Sequence, residues 1–388
     1  MLEASIPDLP PATRARAPSP VAAPCVAKRI LILLHDFAGG GTERVAIRLA
    51  NQWAETGRVV RIFCGSETGP LRAMVGAHVE VEAANPRLPR GPLSRVRLGL
   101  ALAGAARRFR PDAVFGPGNF HLLPLAIFGL RDRSGAAAFC KISNPLGPDR
   151  GGAGGWLRRQ VLKALTARLD GLVAMSPALR AEAAELLGAD RVVARWEPIL
   201  TAEPRAAGEP ERDPTLIVAV GRLEPQKNFA LAIEAMAHLS RWTDARLVIL
   251  GEGAERARLE RLIARRGLHE RVRLIGHVAD IGPWLARASC FLMTSRYEGY
   301  PASLVEALAH GLPAVVTPCS TALAEILPRA GMRAIVAPDA GAVACALQNM
   351  LREPRQQTID PLLRARHDEA RAAASYLDLM DRNAVPQV

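Results

Sequence analysis

Short apolar runs, most of them ending in a loop with glycine or proline and followed by a helical period, recur along this chain and restart once. In the first half they are Arg29–Leu34, Val59–Phe63, Val79–Val81, Pro111–Phe115, Ala136–Ile142, Gly171–Met175 and Val192–Trp196. After a stretch rich in Pro, Glu, Ala and Arg the pattern begins again with Leu216–Val220, Arg246–Leu250, Val272–Val278, Phe291–Thr294, Ala314–Thr317 and Ala334–Val336. Runs apolar on successive residues are buried on both faces, which is the habit of strands in a parallel sheet covered by helices. The chain of 388 residues, 49% of them apolar, is long enough for two such cores. The expected fold class is α/β, with a tail over 1–27, a first domain over 28–200, a linker over 201–214 and a second domain over 215–365. A helix within 366–388, centred on Ala372–Met380, is expected to return to the first domain.

Charge narrows the partners. The formal net charge of +12 favours nucleotides, nucleic acid or anionic lipid. Nucleic acid falls behind, because aromatics make up 4% of the residues and do not interleave with the basic ones. Cys25, Cys64, Cys140, Cys290, Cys319 and Cys345 are scattered without metal-ligand spacing and read as reduced, mostly buried thiols. No apolar core of a secretory signal precedes Lys28, and no run of eighteen apolar residues appears, so the expected location is cytoplasmic.

The loops carry the chemistry, because open α/β sheets place ligands at the carboxyl ends of their strands. Ser295–Glu306 sets Glu298 before a helix start and Glu306 on the helix, with Pro301 in its first turn. Taken alone, this stretch is either a surface turn with two solvated glutamates or a cradle for phosphate at a helix N-terminus. Gly221–Asn228 brings Arg222 and Lys227 to another strand end, two cations suited to a diphosphate, and this favours the cradle. In the first half, Gly39, Gly40 and Gly41 with Thr42 as N-cap form a strand-to-helix turn that either admits a ligand or merely turns. It has neither the G-x-G-x-x-G order of a dinucleotide site nor the Lys-Ser/Thr of a P-loop. Asn119 and His121 follow another strand, where a lone histidine is more often a local cap. Ser143–Arg150, which contains Asn144, is a further strand-end loop. Trp156–Arg168 pairs an apolar stripe with Arg158, Arg159, Lys163 and Arg168, the pattern of a solvated helix face or of a helix lying on a membrane.

Four features of the second half, taken in order and spacing, resemble the retaining glycosyltransferases of family 4. They are Gly221-Arg-Leu with Gln226-Lys-Asn228, Leu247–Gly253, the E-x7-E pattern from Glu298 to Glu306, and Ala309-His-Gly-Leu-Pro313. The first half is similar more loosely, through Gly40–Arg44, Ser143-Asn and Ala174–Ser176. The resemblance implies the GT-B arrangement of two facing Rossmann-like domains, and within the family it lies nearest the branch acting on lipid-linked oligosaccharides or surface polysaccharides. It implies a nucleoside-diphosphate sugar as donor and a glycan or lipid-linked acceptor. The net charge and the basic helix add an anionic membrane surface as a further expected partner, and because two cations can replace a metal and no Asp-x-Asp stands in a suitable loop, no metal or cofactor is expected. Carried over residue by residue, Arg222 and Lys227 hold the donor diphosphate, Glu298 the sugar hydroxyls and Glu306 the ribose. Gly40 and Gly41 face the donor from the first domain, His277 and Val278 lie near the base with Glu252 beside them, and Gly299 and Tyr300 complete the donor turn. Asn119, His121 and Asn144 fall on the acceptor side. Two departures stand out: Phe115–His121 replaces a His-x-His, and Glu197-Pro-Ile199 replaces an Asn-led turn before the linker. A nucleotide-sugar epimerase of the same fold and a non-catalytic nucleotide-sugar binder are the rival readings, with a dinucleotide oxidoreductase behind them.

Overall fold

The structure, a computed structural model, describes residues 26–131, 135–146, 153–201, 212–327, 335–352 and 360–384. The first 25 residues, most of the expected linker and the end of the Ser143–Arg150 loop lie outside these, as does Cys25.

The first half contains strands β1 (Arg29–Leu34), β2 (Val59–Cys64), β3 (Val79–Ala83), β4 (Ala113–Gly116), β5 (Ala137–Ile142), β6 (Gly171–Ala174) and β7 (Val192–Ala194). They are interleaved with helices α1 (Gly41–Glu55), α2 (Ser94–Phe109), α3 (Leu122–Arg131), α4 (Ala153–Thr166) and α5 (Pro177–Leu187). The second half contributes β8 (Leu216–Val220), α6 (Phe229–Leu239), β9 (Arg246–Leu250), α7 (Arg256–Arg266), β10 (Val272–Gly276), α8 (Gly282–Arg287), β11 (Cys290–Met293), α9 (Ala302–Ala309) and β12 (Ala314–Val316). Four helices follow: α10 (Leu323–Ile326), α11 (Ala340–Arg352), α12 (Pro361–His367) and α13 (Glu369–Asn383).

Strand order is β3-β2-β1-β4-β5-β6-β7 in one sheet and β10-β9-β8-β11-β12 in the other, with every pairing between these strands parallel. Each sheet therefore grows outward from its first strand in one direction and then reverses. The reversals fall between β1 and β4 and between β8 and β11. Loops leaving the two strands at such a point diverge to opposite faces and open a crevice where ligands bind. The sequence does not reveal strand order, so this placement is a product of the fold.

Local chemistry explains most element boundaries. Ile30–Leu34 are fully buried, and burying each such side chain contributes about 1.5–3 kcal/mol. Helix α5 begins at Pro177 behind Ser176, whose Oγ accepts the Leu179 N–H. Two expected caps differ. The N-cap of α1 is Gly40 with no side-chain capping bond, not Thr42, because the helix begins two residues earlier than a Thr42 cap requires. Pro301 is the N-cap of α9, before its first turn rather than in it. Ala334–Val336 is not a strand over its described residues: Ile335 makes one isolated bridge to Val316.

The chain crosses between the sheets twice, at Trp196–Leu200 and at His367–Asp368. Ile199 and Leu200 N–H both donate to the His367 carbonyl, and Leu200 bridges Asp368. Past this crossing α13 packs on α1 of the first sheet: Trp53 Nε1 donates to Ala373 O at 3.0 Å, Arg58 pairs with Asp381 at 3.0 Å, and Tyr376 meets Phe115 edge-on. One buried cluster also runs continuously from Leu31 and Leu33 through Met175 and Leu200 to Val218 and Leu304, so the apolar core passes through the junction.

Candidate functional site

The loops leaving the carboxyl ends of β8 and β11 carry Arg222, Lys227, Glu298, Gly299 and Tyr300 of the expected donor residues. Lys227 Nζ donates to Glu298 Oε1 at 2.6 Å, and Ser295 Oγ donates to the same oxygen at 2.6 Å. Glu298 is buried, and its pairing with Lys227 explains how a carboxylate is held there. Because both bonds land on Oε1, Oε2 is left to accept from a hydroxyl. Arg222 is exposed at the end of β8 and makes no side-chain hydrogen bond among the described residues. The turn is pinned from below: Arg296 N–H donates to Gln226 O, Glu298 N–H to Cys319 O, and Gln226 Nε2 to Tyr297 O. Glycine is required where these loops cross. A Cβ on Gly251, at φ +148°, would lie 1.8 Å from the Gly221 carbonyl oxygen.

Glu306 lies on α9, partly buried, and burial raises its pKa against the attraction of Arg48 and Arg44. Both arginines come from α1, one turn apart, so the first domain answers the expected ribose carboxylate with two cations. Arg44 Nη1 also reaches the Ala279 carbonyl at 3.5 Å. The first turn of α9 is a poorer anion cradle than its sequence suggested. Its Ala302 N–H is bonded to Tyr300 O and its Leu304 N–H to Pro301 O.

The other expected donor residues have surroundings of their own. Glu252 is half-exposed and forms an ion pair with Arg256 at 2.8 Å. His277 is exposed and crosses to the first domain, its ring 3.5 Å from where a Cβ on Gly39 would stand; Val278 is partly buried beside it. Gly41 is open, with nothing within 4 Å of an added Cβ, and Gly40 carries the Glu43 carboxylate over it. Tyr300 does not present its hydroxyl to the cleft. Its ring is buried against Trp196 and His367 and its Oη bonds His367 Nε2 at 2.9 Å, which leaves only backbone to face a ligand.

On the first-domain side, Asn119 ties two loops together, its Oδ1 accepting from Ser143 N–H at 2.8 Å and its Nδ2 donating to Asn144 O at 2.9 Å. Asn144 is exposed and borders an apolar depression with Leu146, Met175, Leu179 and Leu186. His121 is buried, and burial pushes its pKa down to about 3 although its Nδ1 donates to the Gly118 carbonyl. It is a neutral imidazole at the edge of the site. At Gly299 the halves come close together: an added Cβ would lie 2.0 Å from the Ser143 carbonyl oxygen.

Sequence reasoning did not single out Asp36, Glu43, Arg44, Arg48 or Arg90. Arg90 clamps Asp36 with two bonds of 2.6 and 2.7 Å and sits 3.7 Å from Glu43. Burial opposes ionisation of Asp36, but Arg90 and the Ala38 N–H outweigh it and the pKa is lowered. Glu43 is pushed upward by burial and feels Arg222 of the opposite domain among its charged neighbours. Glu43 and Arg44 belong to the Gly40–Arg44 run and were within reach of the motif; Arg90 lies in a loop with no pattern. Among the described residues, no group of three or more His, Cys, Asp and Glu gathers as a metal site would require.

Known proteins resemble this chain in sequence and in fold. The profile of the Glycosyl transferase 4-like domain matches residues 40–196, and that of Glycosyl transferases group 1 matches residues 214–353. The chain is 28% identical over 297 residues to the lipopolysaccharide core biosynthesis glycosyltransferase LpsE of Rhizobium meliloti, covering 73% of this chain and 77% of that one. It is 38% identical over 113 residues to the amylovoran biosynthesis glycosyltransferase AmsD of Erwinia amylovora, a match over 29% of this chain that spans only 31% of that relative's length. Among solved structures it resembles Anabaena Alr3699/HepE in complex with UDP and glucose, with a TM-score of 0.73 at 18% identity over 91% of this chain and 99% of that one.

Proposed function

The chain belongs to the group 1 glycosyltransferases of family 4, with the GT-B fold, and we propose that it transfers a sugar from a nucleoside-diphosphate donor to a glycan hydroxyl with retention at the anomeric carbon. The observation that carries this reading is the meeting of Lys227, Glu298 and Arg222 at the β8/β11 reversal, facing the glycine turn and Asn119 at the β1/β4 reversal. In the reaction the acceptor hydroxyl oxygen attacks C1 while the bond from C1 to the diphosphate oxygen breaks. The electron pair goes to that oxygen, which takes up the acceptor's proton. Charge grows on the diphosphate in the transition state, and Arg222 and Lys227 are placed to stabilise it, typically the largest single term an enzyme supplies. Glu298 Oε2 holds sugar hydroxyls and Glu306 holds the ribose. The relatives named for lipopolysaccharide core and amylovoran synthesis support a surface-polysaccharide or lipid-linked glycan as acceptor, and the UDP bound by HepE makes UDP-sugars the first donors to test.

The test is release of free nucleoside diphosphate from UDP-, GDP- and ADP-sugars with and without glycan acceptors. Acceptor-dependent release with an α-linked product from an α-linked donor supports the reading. Epimerised donor, or ligand-dependent thermal stabilisation with no turnover, would replace it with an epimerase or a binder.

The same reading includes an anionic membrane surface. Leu93, Val96 and Leu100 beside and on α2, Leu130 on α3 and Trp156, Leu157 and Val161 on α4 are exposed on helices packed side by side. Exposed Arg95, Arg97, Arg131 and Lys163 accompany them. The stripe on α4 thus faces outward at Leu157 and Val161 rather than into the core, and apolar side chains among cations suit an anionic bilayer. No helix of the described residues is long and apolar enough to cross a membrane. Sedimentation with vesicles containing anionic phospholipid, lost on Trp156→Glu, tests this.

A further inference from the structure

Both crossings between the domains converge on one buried imidazole. His367 is fully buried at the second crossing, as the last residue of α12 before α13. Its Nδ1 lies 3.1 Å from the carbonyl oxygen of Glu197 in the first crossing, and its Nε2 lies 2.9 Å from Tyr300 Oη in the donor turn. A carbonyl only accepts, so Nδ1 carries the proton, Nε2 offers its lone pair, and the Tyr300 hydroxyl donates to it. Trp196 meets both rings, its centroid 5.5 Å from that of His367 and 6.4 Å from that of Tyr300.

The contacts continue beyond the imidazole. The Glu197 carboxylate is buried and takes both its oxygens to Lys141 Nζ at 2.9 Å, and Tyr376 of α13 approaches it at 3.5 Å. Lys141 is on β5, which ends at Ile142 just before Ser143, and the Ser143 carbonyl is the group that Gly299 packs against. Tyr300–His367–Glu197–Lys141–Ser143–Gly299 is therefore a closed ring of contacts. It grips the donor turn at two adjacent residues, and Glu298 is the next residue along. The donor-turn tyrosine, the crossing carbonyl and Lys141 cannot shift apart without opening a buried hydrogen bond, which is costly, and the acceptor-side loop is joined to them by the backbone after Lys141 and by packing on Gly299.

We propose that His367 is a positioning residue for sugar transfer: it fastens the Tyr300 hydroxyl to both interdomain crossings and so sets Glu298 relative to the acceptor-side loop. This rests on the glycosyl-transfer reading of the cleft. His367 touches neither substrate and acts through Tyr300. Nucleotide affinity belongs to Arg222, Lys227 and Glu306, outside the ring, so disturbing the ring affects the chemical step and spares nucleotide binding.

Tyr300→Phe keeps the ring packing and removes only the donor; His367→Asn keeps an amide able to donate to the Glu197 carbonyl but does not reach Tyr300. For each variant and for the double variant, kcat, UDP affinity and melting temperature are measured. Expected are a fall in kcat of roughly 10- to 100-fold, UDP affinity within about twofold of the parent, and a double variant no worse than either single one. Parental kcat in Tyr300→Phe overturns the proposal. So does a loss of UDP affinity in step with kcat, which marks a merely structural residue, or effects that add in the double variant, which mark two separate roles. A parent protein that neither binds any nucleoside diphosphate nor transfers sugar refutes the glycosyl-transfer reading itself, and this inference with it.

Discussion

At the scale of single residues the cleft works by fixing charge where water would otherwise scatter it. Lys227 is held at 2.6 Å from a buried carboxylate, so it stands at a defined point before any substrate arrives, and preorganised charge needs no reorganisation during reaction. Lys227→Ala removes that charge and one of the two bonds on Glu298 Oε1. It should lower kcat by about 10²-fold or more, read as the initial rate of nucleoside diphosphate release. A second consequence concerns acid. Burial lowers the pKa of His121 to about 3 and that of His367 to about 4, the latter despite its bond to the Glu197 carbonyl and aided by Arg366. An unfolded histidine binds its proton near pH 6.5, whereas these two refuse it until the solution is far more acid. Their contribution to stability is complete above about pH 6.5 and is lost as pH falls from there toward 4 for His367 and toward 3 for His121. Urea unfolding across that window should show stability falling with acid, and His367→Gln should flatten the slope by about one proton.

At the scale of elements, what was legible in the sequence was whatever repeats locally. Continuous apolar runs such as Leu216–Val220 marked strands because burial on both faces leaves no room for alternation, and the glycine and proline punctuation marked the loops. The cations Arg222 and Lys227 were legible because they follow a strand directly. Strand order was not, because it depends on pairings between distant segments such as β1 with β4, and so neither was the crevice that strand order creates. Nor were the partners of Glu306 and Tyr300: Arg44, Arg48 and His367 lie hundreds or scores of residues away, and no local rule connects them. Thr42 failed as a cap because helix α1 needed no side-chain cap at all once Gly40 took the extended backbone before it. The loop from β11 to α9 depends most on these distant contacts. A Cβ on Gly299 would sit 2.0 Å from the Ser143 carbonyl oxygen, so in Gly299→Ala the contact must open by roughly 1 Å or more, a displacement that costs on the order of 10²-fold in rate when it reaches a reacting centre. Steady-state kinetics should show that loss in kcat, with the melting temperature of each sheet's core little changed.

At the scale of the whole molecule the chain is not two beads on a string, because its last helix completes its first core. Helix α13 covers α1, and its Ala373, Tyr376, Leu377, Leu379 and Met380 share one buried cluster with Trp53 and Phe115. The Asp381 carboxylate accepts from Ala27 N–H at 2.8 Å and pairs with Arg58, fastening the strand entering β1 to the end of the chain. Burial of Tyr376, Leu377 and Met380 alone contributes about 5–9 kcal/mol at 1.5–3 kcal/mol for each side chain. That is comparable with the entire stability of a typical domain, about 5–15 kcal/mol. A chain ending at His367 should therefore lose the first domain's cooperative unfolding transition although every residue of its seven strands remains. The second domain, whose own cluster around Ile217, Leu247 and Leu292 contains no residue of α13, should keep its transition. Differential scanning calorimetry of the shortened chain distinguishes this from the alternative: two intact transitions would mean that α13 is an appendage, and one surviving transition that returns to the parental pattern on adding a peptide of residues 368–384 would show that the helix completes the first core.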